Sequence, residues 1–273
     1  MKKSSWKNSR TMWKNSLTLG LAILTVIEMV QGLLSLDFNA NFHWLIKLLY
    51  VPTLYIVIVL FVFALKSFAV KGGVTVKIRG IKVTVKQGDL FEAEGWKVIA
   101  FNEYFDTTVD DIIIAKNSVN GKFIEHHVDD LDGLKQALAT DNRSPFKAKR
   151  TEDDRLQYKL GCIKTYQDYM LLAFTHFNEQ NEAHLSQMEY EECLRVMWSE
   201  ICRAYANKPI YLPLLGSRIT RFDGTPQKSK LDLLRCMLCT LRTSDKNINQ
   251  PITILLTKEA MEEINIYETK GMN

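Results

Sequence analysis

Three short stretches of the sequence combine residue types that can bind a phosphorylated ligand, and each follows a predicted strand. The first is KQGDLFEAEGW, in which Asp89 comes directly after the glycine that ends a strand. The second runs from AFNEYFDT into KNSVNGKFIEHH, and the third is PLLGSRITRF, residues 213–222. Glycine lets a phosphate approach the backbone closely because it has no Cβ, and a following helix adds the positive end of its dipole. Ligands of α/β folds bind beyond the strand ends, so the three loops predict an anion-binding cleft.

The pattern of apolar residues predicts the elements that position these loops. Alternation predicts strands over VTVKIRG and IKVTVKQG, and KVIAF at residues 97–101 is typical of a short buried strand. Further strands are predicted over LQYKLGCIKTYQ, DYMLLAFTHF, KPIYL and PITILLT, and helices over residues 188–206, SKLDLLRCMLCTLR and KEAMEEINIY. Alternating strands and helices favour an α/β domain whose sheet lies between helices, and the strand-rich first half favours a mixed sheet.

Three other stretches are less regular. Residues 129–139 predict an amphipathic helix, whereas DIIIA at residues 111–115 is short enough to be either helix or strand. Residues 140–155 are charged and have no period, which predicts a mobile loop or an insertion.

Two long apolar runs precede this domain, at residues 17–36 and 44–70. Because about 20 apolar residues in a helix cross a bilayer core of ~30 Å, both runs predict transmembrane helices, joined by the turn DFNANFH. The first run could instead be a signal peptide. It is long for that purpose, contains Glu28 and Gln31, and lacks a clean small-residue cleavage site, so a retained hairpin is favoured.

The basic residues that flank the runs predict the orientation. Five precede the first run and four follow the second, whereas the connecting turn has no lysine or arginine; the nine are Lys2, Lys3, Lys7, Arg10, Lys14, Lys71, Lys77, Arg79 and Lys82. The positive-inside rule then places both termini in the cytoplasm. The predicted organisation is a basic cytoplasmic segment at residues 1–16, a transmembrane hairpin at 17–70 and a cytoplasmic ligand-binding domain at 71–273.

Composition argues against several other kinds of site. The formal net charge of +4 is partly explained by the flanks of the hairpin, and the rest shows no basic stripe with interleaved aromatics, so no nucleic acid partner is predicted. Five cysteines, all after the hairpin, indicate free thiols in a reducing compartment. CMLC at 236–239 lacks a second pair at zinc spacing, and His126 and His127 lack converging ligands, so no metal site is predicted.

Four acidic or polar residues can each be interpreted in two ways: Glu28, Gln31, Glu103 and Asp106. Glu28 lies near the middle of the first apolar run with Gln31 one turn on, and a charge at the centre of a bilayer costs ~2.5–3.5 kcal/mol on insertion scales. The pair could line a pore or pair helices in an assembly, or Glu28 could make an interhelical hydrogen bond. Glu103 and Asp106 could bind a cationic or imidazole-bearing substituent, or they could cap a loop.

The three loops, taken together and in this order, resemble those of macro domains, the modules that bind ADP-ribose. Gly88-Asp89-Leu90 matches the motif of glycine, aspartate and an aliphatic residue, and residues 101–105 match the asparagine-rich loop. Residues 118–124 match the glycine loop that opens a helix, and residues 213–222 match the proline-led phosphate loop. The resemblance covers residues 80–265 and implies a macro-like α/β/α domain with a mixed sheet.

The resemblance also implies roles for individual residues. Asp89 would contact the adenine amino group, Asn102 would lie near the distal ribose, and Phe222 would pack against that ribose or its substituent. The loop at Gly121 and the loop 215–219 would hold the diphosphate from two sides. The complete predicted ligand-binding set is Asp89, Leu90, Asn102, Glu103, Phe105, Asp106, Asn120, Gly121, Leu215, Gly216, Ser217, Arg218, Ile219, Thr220, Arg221 and Phe222.

Two departures from the macro-domain pattern bear on activity. Catalytic macro domains usually carry a second asparagine three residues after the first, and this chain has Phe105 there. A ligand reader is therefore predicted rather than an enzyme; the alternative is a membrane-tethered ADP-ribosyl hydrolase in which a group such as Asp106 acts instead. Where relatives tend to have Gly-Ser-Gly, this chain has Gly216-Ser217-Arg218, and the arginine either pairs with phosphate or points outward.

The order of two spans and a macro domain with NEYFDT and PLLGSRITRF resembles the membrane effector of the bacterial Thoeris anti-phage system, in its transmembrane-macro form. The resemblance implies a protein of the bacterial inner membrane without a cofactor. A partner TIR-domain enzyme would consume NAD to make an ADP-ribose messenger, histidine-ADP-ribose. Messenger binding would cause homo-oligomerisation, membrane disruption and abortive infection. A third interpretation is a module that only recruits ADP-ribosylated proteins to the membrane.

Overall fold

The domain after the hairpin is built on a mixed sheet whose parallel strands present their carboxyl ends on one edge. The computed structural model describes residues 2–33, 44–71, 73–141, 144–146, 148–178, 182–218, 220–224 and 228–264. The described helices are α1 (Lys2–Leu33), α2 (Trp44–Lys71), α3 (Val119–His127), α4 (Leu131–Thr140), α5 (Gln187–Ala204), α6 (Lys230–Arg242) and α7 (Lys258–Glu263). The described strands are β1 (Val74–Ile78), β2 (Ile81–Gln87), β3 (Trp96–Asn102), β4 (Lys149–Arg150), β5 (Leu156–Gln157), β6 (Ile163–Tyr166), β7 (Tyr169–Phe177), β8 (Ala183–Leu185), β9 (Ile210–Pro213), β10 (Arg221–Phe222) and β11 (Ile252–Leu256).

The sheet has the strand order β1-β2-β11-β9-β3-β7-β8-β10, and β6 pairs with β7. The central neighbours β2, β11, β9, β3 and β7 run parallel. β1 pairs antiparallel with β2, β6 and β8 pair antiparallel with β7, and β10 pairs parallel with β8. The predicted mixed sheet is therefore confirmed. Because β3, β7, β9 and β11 are parallel, the loops that follow them meet at one edge.

Helices cover both faces of the sheet, as the alternation along β7 shows. Met170, Leu172 and Phe174 belong to a buried cluster with α5 and α6, and the intervening residues belong to a second cluster with α3 and α4. Serine or threonine caps start several of these helices; Ser186 and Glu189 form a capping box at the start of α5. Each cap satisfies backbone N–H groups that would otherwise lack partners.

Three of the irregular stretches can be compared with their predictions. Residues 129–139 are helical, as α4. DIIIA, residues 111–115, is neither helix nor strand, because Asp110 and Asp111 accept hydrogen bonds from the following backbone N–H groups and hold it as a turn. Within 140–155, the described residues include the short strand β4, which pairs with β5. The predicted turn DFNANFH and the end of the last predicted helix lie outside the described residues.

The two N-terminal helices pack against each other as an antiparallel hairpin. Trp13 stacks on Phe63 with 4.5 Å between ring centroids. Ser16, Gly20 and Leu24 are buried at a spacing of four residues. A Cβ on Gly20 would lie 2.7 Å from Cγ2 of Val59. Small residues at this spacing allow close approach of two helices, as in membrane proteins.

The described residues contain one helix that is long and apolar enough to cross a membrane by length and composition, at Trp13–Val30. Only 17% of that window is buried inside the molecule, unlike the core helix of a soluble domain. The apolar part of α2 that is described, Pro52–Leu65, is shorter. Two membrane spans therefore stay a prediction. Glu28 lies exposed on the surface of α1, and the side chain of Gln31 lies outside the described residues.

Candidate ligand-binding cleft

A cleft of about 500 Å³ lies at the carboxyl ends of the parallel strands. Its walls are the segment that leads into α3, the loop after β9, the end of β7 and the start of α7. Seven of the sixteen residues predicted for ligand binding line it: Asn102, Asn120, Leu215, Gly216, Ser217, Arg218 and Thr220. Two of the predicted loops therefore contribute to the walls of the cleft, and their role in binding a ligand stays a prediction. Ile219 lies outside the described residues.

The first wall depends on Gly121, at the start of α3. The N-cap Ser118 accepts a hydrogen bond from the Gly121 N–H at 2.8 Å. A Cβ at position 121 would lie 2.4 Å from the Ala115 carbonyl oxygen and 2.9 Å from that of Lys116. Such distances to backbone atoms exclude any larger residue without moving the loop. Gly121 therefore does not line the cleft; it lets the preceding loop lie tight against α3.

Asn120, beside that glycine, offers an acceptor to the cleft. The residue is 8% exposed, and among the described residues its Oδ1 has no hydrogen-bond partner although it is buried. A buried amide oxygen left without a donor costs ~1–3 kcal/mol. A ligand hydroxyl or amino group would satisfy it.

The second wall is the loop after β9. Gly216 has a φ of 78°, a left-handed conformation that favours glycine. The Ser217 hydroxyl donates to the Leu214 carbonyl oxygen at 2.7 Å, which holds the turn. Nη1 of Arg218 donates to the Asn117 carbonyl oxygen at 3.0 Å. The Arg218 side chain therefore does not point outward from the cleft. Its hydrogen bond connects the loop after β9 with the segment that precedes α3.

Asn102, at the end of β3, holds its own loop together. Its Oδ1 accepts from the N–H groups of Tyr104 and Asp106, and its Nδ2 donates to Oδ2 of Asp106 at 2.7 Å. These bonds hold Phe105 at a φ of 55° with its ring buried against Phe101 and Tyr158. Phe105 is thus a core residue, and the Asn102 amide serves as a brace at the cleft wall.

The two acidic residues of this loop point away from the cleft. Glu103 is 3% exposed and accepts hydrogen bonds from Gln157 Nε2 and from His176 Nδ1, both at 2.7 Å. It faces a second cavity of about 610 Å³ on the α5 side of the sheet. Asp106 pairs with Arg155 at 2.7 Å, and the guanidinium lies over the Tyr104 ring. Of the two interpretations, loop stabilisation is the one that this geometry favours.

His176 lies between two carboxylates, and this determines its titration. Its Nε2 lies 3.4 Å from Glu189 Oε1, opposite the bond to Glu103. The hydrogen bond to Glu103 raises the pKa of His176 above its usual value, although burial opposes the rise. Because the folded-state pKa is raised, the stabilisation is complete below the unfolded pKa of about 6.5 and is lost as the pH rises through the folded pKa.

We therefore expect thermal stability to fall by a few degrees as the pH rises from about 6 through the raised pKa of His176. His176→Gln should remove this part of the pH dependence, whereas His126→Gln, at an exposed position near the end of α3, should keep it. Melting curves of the three proteins from pH 6 to pH 9 would measure it. Parallel pH profiles of His176→Gln and the wild type would contradict the assignment.

The remaining predicted residues lie near the cleft but do not line it. Asp89 is exposed and accepts from the Phe91 N–H, and Leu90 is buried. Arg221 pairs with Glu182 at 2.6 Å. Phe222 is buried beneath the loop, with its ring 5.5 Å from that of Tyr190 between centroids. Phe222 therefore supports Gly216 from below instead of facing the cleft.

Several lining residues were missed by the sequence analysis. They include Ile113, Phe174, Thr175, Phe177, Ala183, Leu255, Thr257 and Ala260. Thr175 pairs with Asn102 across the parallel strands β3 and β7. The end of the strand that pairs with a strand carrying site residues could therefore have been predicted to line the cleft. Thr257 caps α7 directly after β11, a strand-to-helix junction of the same kind as the three loops that were identified.

The mixed sheet, its helical layers and the cleft at the strand ends define a macro domain, and comparison with known proteins agrees. Residues 83–257 match the family model described as Thoeris protein ThsA, macro domain. The chain is 36% identical over 260 residues to Thoeris protein ThsA of Bacillus amyloliquefaciens (strain Y2), covering 91% of this chain and 86% of that protein. The chain belongs to the Thoeris ThsA family, whose macro-domain members are effectors of antiviral defence.

Solved macro-domain structures also resemble this chain. The Oceanobacillus iheyensis macrodomain with ADP has a TM-score of 0.44 and 15% identity, covering 73% of this chain and 95% of that chain. A glycine-to-valine mutant of the same macrodomain with ADPR has a TM-score of 0.43 and 14% identity, covering 73% of this chain and 97% of that chain.

Proposed function

We propose that this protein is the membrane effector of a Thoeris system and that its macro domain senses an ADP-ribose messenger, histidine-ADP-ribose. A TIR-domain enzyme would make the messenger from NAD during infection. Binding would lead to homo-oligomerisation in the bacterial inner membrane, membrane disruption and abortive infection. The observation that carries the proposal is the cleft itself. It has the size of a nucleotide site and two walls formed by loops, and within the described part of the chain the buried Oδ1 of Asn120 has no hydrogen-bond partner.

The walls suggest how the ligand would lie. The diphosphate would lie between the loop that precedes Gly121 and the loop 215–218, near Arg218 and the start of α3. Asn120 Oδ1 would accept a hydrogen bond from a ribose hydroxyl. Asp89, exposed after β2, would be reached by the adenine amino group at the outer end of the cleft.

The helical hairpin would be the output of the sensor. We place α1 and α2 as two spans with both termini in the cytoplasm, because the basic residues lie before α1 and after α2. Glu28 is exposed on α1, so in an assembly its side chain would meet another chain or a pore. This exposure favours the pairing or pore-lining interpretation of Glu28 over a hydrogen bond within the hairpin.

The loop geometry favours a sensor over a hydrolase. Phe105, at the position of the usual second asparagine, is buried in the core. The Asp106 carboxylate, the alternative catalytic group, is held by Arg155 and Asn102 and does not line the cleft. A recruitment module would leave growth unaffected by the messenger, which separates it from the effector.

Removal of the Asn120 amide tests the site directly. Asn120→Ala should weaken binding of ADP-ribose by roughly tenfold, because a ligand hydroxyl loses its buried acceptor. Isothermal titration calorimetry of the detergent-solubilised full chain would measure this, with Gln136→Ala, an exposed amide on α4, as the control. If Asn120→Ala and the wild type bound ADP-ribose with equal affinity, Oδ1 of Asn120 would no longer support the proposed ligand site.

A further inference from the structure

We propose that the exposed face of strands β1 and β2 binds the anionic phospholipid headgroups of the membrane that α1 and α2 are proposed to cross. The inference rests on the proposed function in one respect, the placement of those two helices in a bilayer. It starts from a segment that carries charge of one sign. Residues 71–88 contain five basic residues and no acidic residue. A basic segment directly after a membrane helix is typical of contact with anionic lipid.

The alternation of the two strands collects three of these basic residues on one face. The valines and isoleucines of β1 and β2 are buried in the cluster that also contains residues of α5 and α6. The residues between them lie on the opposite face, where Thr75 and Thr84 contact each other. Lys77, Lys82 and Lys86 lie on this face and together form the basic strip. The side chains of all three lysines are exposed.

The basic strip contains a repulsion that the domain itself does not relieve. Lys77 lies directly opposite Lys82 in the antiparallel pair, and like charges at such positions destabilise a sheet. Among the described residues, none forms an ion pair with any of the three lysines. Anions from outside the domain would relieve the repulsion, and a lipid surface supplies several phosphates side by side. Charge complementarity therefore favours an anionic membrane as the partner of this face.

The connection to α2 brings the basic strip close to the proposed membrane helix. Gly73 follows two residues after the end of α2 and has a φ of 85°. A Cβ on Gly73 would lie 2.5 Å from Cβ of Lys86, so the chain that leaves α2 passes directly against the strip. Lys77 lies four residues beyond Gly73, about 13 Å along the strand. A strip lying along the membrane surface would place all three amines among the headgroups.

This orientation would also fix the direction of the ligand cleft. β1 runs antiparallel to the parallel strands of the sheet, so it begins at the edge where those strands end. The cleft opens at that same edge. Headgroup contacts along the basic strip would therefore hold the cleft edge in one orientation relative to the bilayer, which a single covalent connection to α2 cannot do.

Amine footprinting of the full chain tests the lipid contact. The protein would be placed in nanodiscs of phosphatidylcholine alone or mixed with phosphatidylglycerol, acetylated briefly and mapped by mass spectrometry. Phosphatidylglycerol should slow acetylation of each lysine of the basic strip roughly fivefold, and raised salt should reverse the effect. The exposed Lys149, on β4 outside the strip, should react equally in both discs. Equal reactivity of the strip in the two discs would overturn the inference.

Lys77→Glu separates a lipid contact from a purely structural role. The new carboxylate would face Lys82 across the strands, so the melting temperature should rise by a few degrees. Protection of Lys82 and Lys86 by phosphatidylglycerol should be largely lost in the same variant. Lys149→Glu, the matched control, should change neither measurement. A rise in melting temperature with protection intact would show that the basic strip does not bind lipid.

The remaining outcomes distinguish this inference from the proposed function. Protection of the basic strip by an RNA oligomer, but not by phosphatidylglycerol, would make nucleic acid the partner and contradict the inference. If the messenger binds and arrests growth while phosphatidylglycerol leaves the strip unprotected, the inference is wrong and the proposed function stands. If the full chain fails to insert into nanodiscs, the proposed membrane effector fails, and the inference fails with it.

Discussion

Gly121→Val should strongly weaken the response to the messenger. The Cβ of the valine would lie 2.4 Å from the carbonyl oxygen of Ala115. Because this oxygen belongs to the backbone, no change of side-chain rotamer can relieve the clash. The loop before α3 must move away, and the Ser118 cap on the Gly121 N–H goes with it. Overpacking of this kind costs ~1–3 kcal/mol. If the clash is relieved by displacing the loop that lines the cleft, the affinity for ADP-ribose should drop roughly 10- to 100-fold. Calorimetry with ADP-ribose and a growth assay would measure the two effects.

Lys122→Val is the matched control for this prediction. It places the same side chain one residue further along α3, at an exposed position. We expect ordinary binding and ordinary growth arrest from it. Wild-type affinity in Gly121→Val, with the protein still folded, would show that the wall before α3 does not hold the ligand.

Gly20→Leu should remove the membrane output and leave binding intact. A Cβ on residue 20 already lies 2.7 Å from Val59 Cγ2, so leucine there must push α1 and α2 apart. The stack of Trp13 on Phe63 would be lost with the close approach. Growth arrest by the messenger should fall at least roughly tenfold, since helix association in membranes depends on this packing. Calorimetry with ADP-ribose should give the wild-type affinity, because the residues that line the cleft all belong to the domain after the hairpin.

Ala22→Leu provides the comparison. It adds the same leucine to the same helix on the side exposed away from α2. Its growth arrest should match the wild type. Should both variants arrest growth normally, the output would not depend on the hairpin as packed here.

Much of the fold could be predicted from local patterns. The alternating residues of β1 and β2 place their apolar side chains on one face, and the observed burial alternates in step. The three loops could be recognised because glycine, serine and asparagine directly after a predicted strand are typical of turns. DIIIA was ambiguous because such a short apolar run matches both the helical period and the strand period. In the structure, hydrogen bonds to the side chains of Asp110 and Asp111 hold it as a turn.

The orientation of the acidic side chains could not be predicted, since it depends on partners distant in sequence. Glu103 is turned from the cleft by Gln157 and His176, and Asp106 by Arg155. Nothing near either acid in the sequence indicates these contacts. Phe222 is similar: its neighbours in the loop are polar, but Tyr190 on α5 provides the surface that buries it.

The central claim is that the cleft binds an ADP-ribose messenger without transforming it. The most direct test is phosphorus NMR of the full chain in nanodiscs, mixed in turn with histidine-ADP-ribose, ADP-ribose and NAD. We predict shifted diphosphate signals and no new species, with the strongest effect for the histidine conjugate. Diphosphate signals unchanged by the protein for every ligand would contradict a sensor. New signals that grow with time would show an enzyme instead.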